Sequence, residues 1–177
     1  MIEVLAIILC ALLLPVGFFI FLVEREIQWQ RDHGRELAQQ RLEFEQLEWE
    51  MVEDAPFLWG KPRYELIKRY LARWMGRLLE IPERYWTDGA SVPRWLWSLT
   101  GYLPDGKHRA AAVVHDFLCE MRPAWCNWID AARCFRHYMR LARVRPAKIV
   151  AEYWMVLIFG PKWLRRTDRS NRTSKRS

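Results

Sequence analysis

The chain lacks the patterns that announce a chemistry most directly. None of its four cysteines forms a C-x-x-C pair, which excludes the usual cysteine-built zinc site. Cys10 lies in an apolar run, and Cys119, Cys126 and Cys134 leave an odd number elsewhere, so cysteine usage does not fix a redox compartment. There is no Gly-x-Ser-x-Gly turn to expose a nucleophilic serine, and no internal repeat. Charge is missing altogether from Val4–Val23, a run of 20 residues. Nothing basic precedes that run and Glu24-Arg25-Glu26 follows it directly, which speaks against a cleaved signal peptide.

At about 1.5 Å per residue, a helix over Val4–Val23 matches a hydrocarbon layer of roughly 30 Å. The run is therefore expected to be a single transmembrane anchor, with Pro15 and Gly17 tolerated inside it. Arg25, Arg31, Arg35 and Arg41 come soon after it, so the positive-inside rule places the C-terminal body in the cytoplasm. The expected organisation is an anchor over 1–23, a helical stalk over 24–55, a globular domain over 56–161 and a basic disordered tail over 162–177. The 177 residues carry a formal charge of +7, and the tail from Lys162 to Ser177 holds one acid, Asp168, among its many Lys and Arg. Nucleic acid is a conceivable partner only through that tail, and anionic lipid would attract it equally.

Glu24–Met51 reads as a helix rich in Glu, Gln, Arg and Leu, with a ragged apolar stripe and self-association as a possible use. Tyr64–Trp74 suits a helix by residue type and spacing, whereas Arg77–Tyr85 looks like a strand ended near Pro82. Thr87–Pro93 and Pro104-Asp105-Gly106 are turns, with one helical turn at Arg94–Leu99 between them. Three helices follow, over Lys107–Arg122, over Trp128–Val144 and from Pro146 to Phe159 before Gly160-Pro161. The third is apolar almost all round, which suits a central buried helix or one lying on a membrane surface. The expected fold class is α+β and mostly helical: one transmembrane helix, a stalk, a small strand pair and a three-helix body.

Thr87-Asp88-Gly89-Ala90-Ser91-Val92-Pro93 and, further on, His115-Asp116 stand out as polar groups in apolar surroundings. Burying such groups unpaired costs roughly 1–3 kcal/mol each, so they must find partners or do chemistry. His115 falls on the inward stripe of its helix with Ala111, Ala112, Leu118 and Cys119, and Asp116 lies beside it. Asp88 or Asp130 would supply a carboxylate to hold its tautomer. Two readings result: a His/Asp general base activating water, or a core histidine clamping the loop onto the helix. The residues favour the clamp. Ser91 before Val-Pro suits a loop hydrogen-bonder better than a nucleophile. Asp130, Cys134 and His137 share one helix face at a spacing able to hold a ligand, although Asp130 equally suits a helix start.

Two stretches carry a resemblance. Ile81-Pro82-Glu83-Arg84-Tyr85-Trp86-Thr87-Asp88-Gly89-Ala90-Ser91-Val92-Pro93-Arg94 is similar to a V-P-x-G-F-x-T-D-x-A-S-[VI]-P-R loop. Arg109-Ala110-Ala111-Ala112-Val113-Val114-His115-Asp116-Phe117-Leu118 is similar to an R-A-A-x-x-H-D-x-L helix. Together they resemble a domain of unknown function widespread in tailed-phage and prophage genomes, over roughly residues 64–160. The resemblance implies short strands before the loop, against the helical reading of Tyr64–Trp74. Members often carry Ala-Asp-x-x-Phe on the next helix; here Phe135 matches, but Ala132 stands where that Asp would be. A fainter likeness, to secreted phospholipases A2, rests on the His-Asp pair alone, and their glycine-rich calcium loop is not found.

The expected protein is a membrane-anchored phage or prophage accessory protein whose His/Asp cluster is a clamp. The alternative is a membrane-tethered hydrolase using His115 with Asp116 or Asp88, metal-assisted or not, acting on lipid or envelope. Thr87, Ser91, Arg109 and Asp130 are the supporting residues. The residues name no cofactor and no metal; the expected partners are the bilayer and other phage or envelope proteins.

Overall fold

The computed structural model describes residues 2–44, 49–52, 63–87 and 109–165. Helix α1 (Ile2–Asp32) is followed at once by α2 (Gly34–Phe44). Strands β1 (Trp49–Val52), β2 (Arg63–Leu66), β3 (Tyr70–Trp74), β4 (Arg77–Ile81) and β5 (Trp86–Thr87) come next. Three further helices close the order: α3 (Arg109–Met121), α4 (Trp128–Leu141) and α5 (Pro146–Phe159). The mostly helical α+β class holds, and Tyr64–Trp74 is strand on either side of a turn, as the resemblance implied.

The strands form two small antiparallel units, β1-β2-β5 and the hairpin β3-β4. Trp74 pairs with Arg77 across Met75-Gly76, both at positive φ (51° and 70°), the primed two-residue turn that matches strand twist. Arg84, also left-handed, turns the chain so that its N–H donates to the Leu66 carbonyl at 2.9 Å. That turn delivers β5 alongside β2, with Tyr64 opposite Thr87 and Glu65 opposite Trp86. Successive strand residues face opposite sides, so Trp86 is exposed while Thr87 is buried towards α3.

The core lies where α4 packs between α3 and α5 and under the β3-β4 hairpin. Phe135, Met139, Leu118, Val113, Val114 and Ile149 are fully buried there with Leu66 and Ile81. Burial of each large side chain contributes about 1.5–3 kcal/mol. The central helix is therefore α4, not α5: Ile149 and Val150 of α5 are buried, but Trp154, Ile158 and Phe159 are exposed.

The N-terminal expectation is corrected. Among the described residues no helix is long and apolar enough to cross a membrane. The transmembrane span at Val4–Val23 therefore falls, and the single-pass membrane location and the orientation argued from its flank fall with it. Helix α1 also ends elsewhere than expected. The helix does not stop at Val23 but runs on to Asp32, and its polar second half is locked into the body. Glu26 is buried and accepts from Arg140 Nε at 2.6 Å and Arg136 Nε at 2.9 Å, while the Arg140 guanidinium lies 3.5 Å over the Trp29 ring. The stalk is corrected too. Leu37 of α2 joins the core, and Arg41 donates to the carbonyls of Arg140 and Leu141 at the end of α4, adding to the backbone bonds that cap it. Trp49–Val52 is strand, paired with Arg63–Leu66.

Candidate functional site

Three of the expected site residues meet. Thr87 at the end of β5 donates its hydroxyl to Asp116 Oδ2, joining strand to helix. The other carboxylate oxygen, Oδ1, lies 3.4 Å from His115 Nδ1. One turn further along α3, Cys119 Sγ lies 3.4 Å from His115 Nε2. The ring of Phe135 on α4 meets the imidazole edge-on, with centroids 5.5 Å apart. His115 is buried, and Asp116 keeps partial access to solvent.

These contacts follow from the local sequence. Ala110–Val114 and Leu118 bury the inner face of α3 against α4, which draws the His115 ring inward. Asp116 sits about 100° further round the helix and so faces β5, where the alternation of Trp86 and Thr87 places the hydroxyl. Tyr85, just before β5, packs edge-on against Phe117 at 5.4 Å. Burial, a hydrogen bond with Glu120 and the nearby Asp116 charge together push the Tyr85 phenol far up.

Cys119 is a component the sequence reading placed on the same stripe but did not connect to the site. Its signal was the i, i+4 spacing from His115. Burial first, then the Asp116 charge, pushes its thiol up to about 12. It stays a thiol at neutral pH and so lacks the reactive thiolate form. The set is a carboxylate that accepts the hydroxyl and lies beside one ring nitrogen, with a thiol against the imidazole, 3.4 Å from Nε2 and 3.7 Å from Nδ1.

Asp130 is not part of the set. It belongs to a capping box at the start of α4: its N–H donates to Asn127 Oδ1 at 2.9 Å, and Asn127 N–H donates to Asp130 Oδ2 at 3.1 Å. Arg165 Nη2 donates to the same carboxylate at 2.7 Å. The face shared by Asp130, Cys134 and His137 is divided accordingly. Cys134 is fully buried with its thiol pushed well up by burial, and His137 stacks obliquely on Trp74. Among the described residues no group of three or more His, Cys, Asp or Glu is arranged to hold a metal ion. Arg109 opens α3 and its side chain is engaged. Asp88 and Ser91 lie outside the described residues.

The three helices, the hairpin and the Thr87–Asp116 junction coincide with a known sequence family. The chain belongs to the family described as protein of unknown function (DUF1353), whose model matches residues 65–156. It is similar to two Sinorhizobium fredii proteins. One is the uncharacterized protein y4jT, 36% identical over 83 residues that make up 47% of this chain and 24% of that protein. The other is the uncharacterized protein y4iH, 31% identical over 77 residues, 44% of this chain and 31% of that one. The chain thus spans less than a third of the length of these curated relatives. No solved structure matches it.

Proposed function

We propose that the protein is a non-catalytic accessory protein of phage or prophage origin, working by association with other phage or envelope proteins. In this reading Thr87, Asp116 and His115 are a structural clamp that holds β5 on α3. The contact that carries it is the Thr87 hydroxyl on Asp116, because it ties two elements 29 residues apart through one carboxylate. The packing of the buried His115 ring against Asp116, Cys119 and Phe135, and the protonated thiol, support the same reading. The phage origin rests on the motif resemblance. A second reading, a hydrolase, draws on the His115 Nδ1–Asp116 contact, since a carboxylate there orients a general base.

Combining Thr87→Val, Asp116→Asn and His115→Ala variants in denaturation experiments separates the two. As a clamp, the single changes at Thr87 and Asp116 each destabilise by about 1–3 kcal/mol. The pair then departs from additivity by more than about 0.5 kcal/mol. Loss of the buried His115 ring costs a few kcal/mol. A wild-type chain that hydrolyses phospholipid or p-nitrophenyl esters, with a His115→Ala variant that melts normally but is inactive, would overturn the clamp in favour of the hydrolase.

A further inference from the structure

A concave site opens away from the clamp and shares no residue with it. It is a cavity of 260 Å³ where α2, β3 and α4 meet. Gln40 lines it from α2, Leu71 and Arg73 from β3, and His137, Tyr138 and Leu141 from α4. Its floor is fixed. The Tyr138 hydroxyl accepts from the Arg73 backbone N–H at 2.9 Å and donates to the Arg73 carbonyl at 3.2 Å, so β3 is pinned to α4. His137 is held between rings, 5.6 Å from Trp74 and 5.7 Å from Tyr138.

Three features describe what would fit. First, Arg73 lines the cavity from the solvent-facing side of β3, and among the described residues no carboxylate pairs with its guanidinium. Second, burial and then the Arg140 charge lower the pKa of His137 against the opposing Glu36, which leaves a neutral imidazole offering one donor and one acceptor. Third, Leu71 and Leu141 supply the aliphatic part of a lining that is otherwise mostly polar. Sites for drug-sized ligands span about 300–1,000 Å³, so this one suits a smaller molecule of about ten heavy atoms.

We propose that this cavity binds a small aromatic carboxylate, its carboxylate on Arg73, its ring between Leu71 and Leu141, and a hydroxyl within reach of His137. Inorganic phosphate is the poorer fit. A dianion would meet one cation only, and it would leave Leu71 and Leu141 uncovered.

The test is isothermal titration of the full chain with 4-hydroxybenzoate as probe, against benzoate and inorganic phosphate. Saturable binding of 4-hydroxybenzoate is expected, tighter than benzoate, with phosphate giving none. Arg73→Gln, at an exposed side chain, should fold normally and weaken binding by about tenfold or more, the worth of one charge-assisted hydrogen bond. His137→Gln should bring 4-hydroxybenzoate and benzoate closer in affinity while leaving both dependent on Arg73. The proposal is overturned if neither carboxylate saturates the protein at about 10 mM, weaker than any specific site of this kind. It is equally overturned if Arg73→Gln binds as well as wild type, or if phosphate binds as tightly as 4-hydroxybenzoate. None of these outcomes bears on the clamp at His115.

Discussion

At the scale of single residues, the two buried glutamates show how partners decide the worth of a carboxylate. Glu152 on α5 is buried, with Lys148 Nζ 3.5 Å from Oε1 and no other partner for its carboxylate among the described residues. Burial raises its carboxyl to about 7, with Lys148 opposing. The unfolded chain ionises this group near 4.5, so between pH 4.5 and 7 the folded state holds the extra proton. Stability must then fall as pH rises through that window, by up to about 3 kcal/mol. Glu152→Gln removes the ionisation. Urea unfolding of both proteins at pH 4 and pH 8 should show similar stability at the lower pH and a more stable variant at the higher. Equal differences at the two pH values would show that Glu152 ionises in the folded protein as it does in water.

Glu26 is the opposite case, and it belongs to the scale of elements because it determines where α1 lies. Burial alone would raise its carboxyl, but the hydrogen bonds from Arg140 and Gln30 and the charges of Arg140 and Arg136 outweigh burial and hold it low. Its contribution is present above the ordinary carboxylate range and is lost as pH falls through the lowered value. Glu26→Gln strands Arg140, which is nearly as buried, and breaking a buried pair in this way costs about 3–5 kcal/mol. Hydrogen exchange should then quicken in α1 around Glu26–Asp32 while the centre of α4 stays protected. Unchanged protection of that segment would mean that α1 is held by something other than this ion pair.

What could be read from the sequence follows the same division. The spacing of Ile129, Ala132, Phe135 and Met139, and Pro146 at a first turn, are local signals, and α3, α4 and α5 fell close to where they pointed. The docking of α1 was not legible, because the partners of Glu26 lie 110 and 114 residues away and an apolar run reads the same whatever its continuation touches. β1 was hidden for the same reason, since its pairing with Arg63–Leu66 is not local. At the site, the sequence singled out Thr87, His115 and Asp116. It looked for the acid partner of His115 at Asp88 or Asp130, whereas the nearest described carboxylate is that of the next residue. Asp116 was named beside His115 for the hydrolase alternative, but adjacent helix positions diverge by about 100°, so spacing alone did not show its carboxylate reaching the neighbouring ring.

At the scale of the whole molecule, the second half of α1 and the residues after α5 both fasten to the three-helix body. α1 lies against α5 and reaches α4 through Glu26, and the residues after α5 strap back over the start of α4. Trp163 Nε1 donates to the Cys126 carbonyl at 2.9 Å, Trp128 N–H donates to the Trp163 carbonyl at 3.2 Å, and Arg165 grips Asp130. The Lys162 ammonium stands 4.1 Å over the Trp128 ring. The basic segment expected to be loose from Lys162 onward is therefore fastened through Arg165. Asp130 serves at once as helix cap and strap anchor, which is why it is buried although it takes no part in the clamp. A body closed in this way should unfold as one cooperative unit. Trp163→Ala removes the indole from a partly buried seat and strands the Cys126 carbonyl, a loss of about 2–4 kcal/mol. Thermal melts followed by circular dichroism and by tryptophan fluorescence should give one coincident transition for wild type and one at lower temperature for the variant. If the variant instead melts in two steps while wild type melts in one, the strap is what couples α3 to α4, and the buried contacts between those helices are insufficient without it.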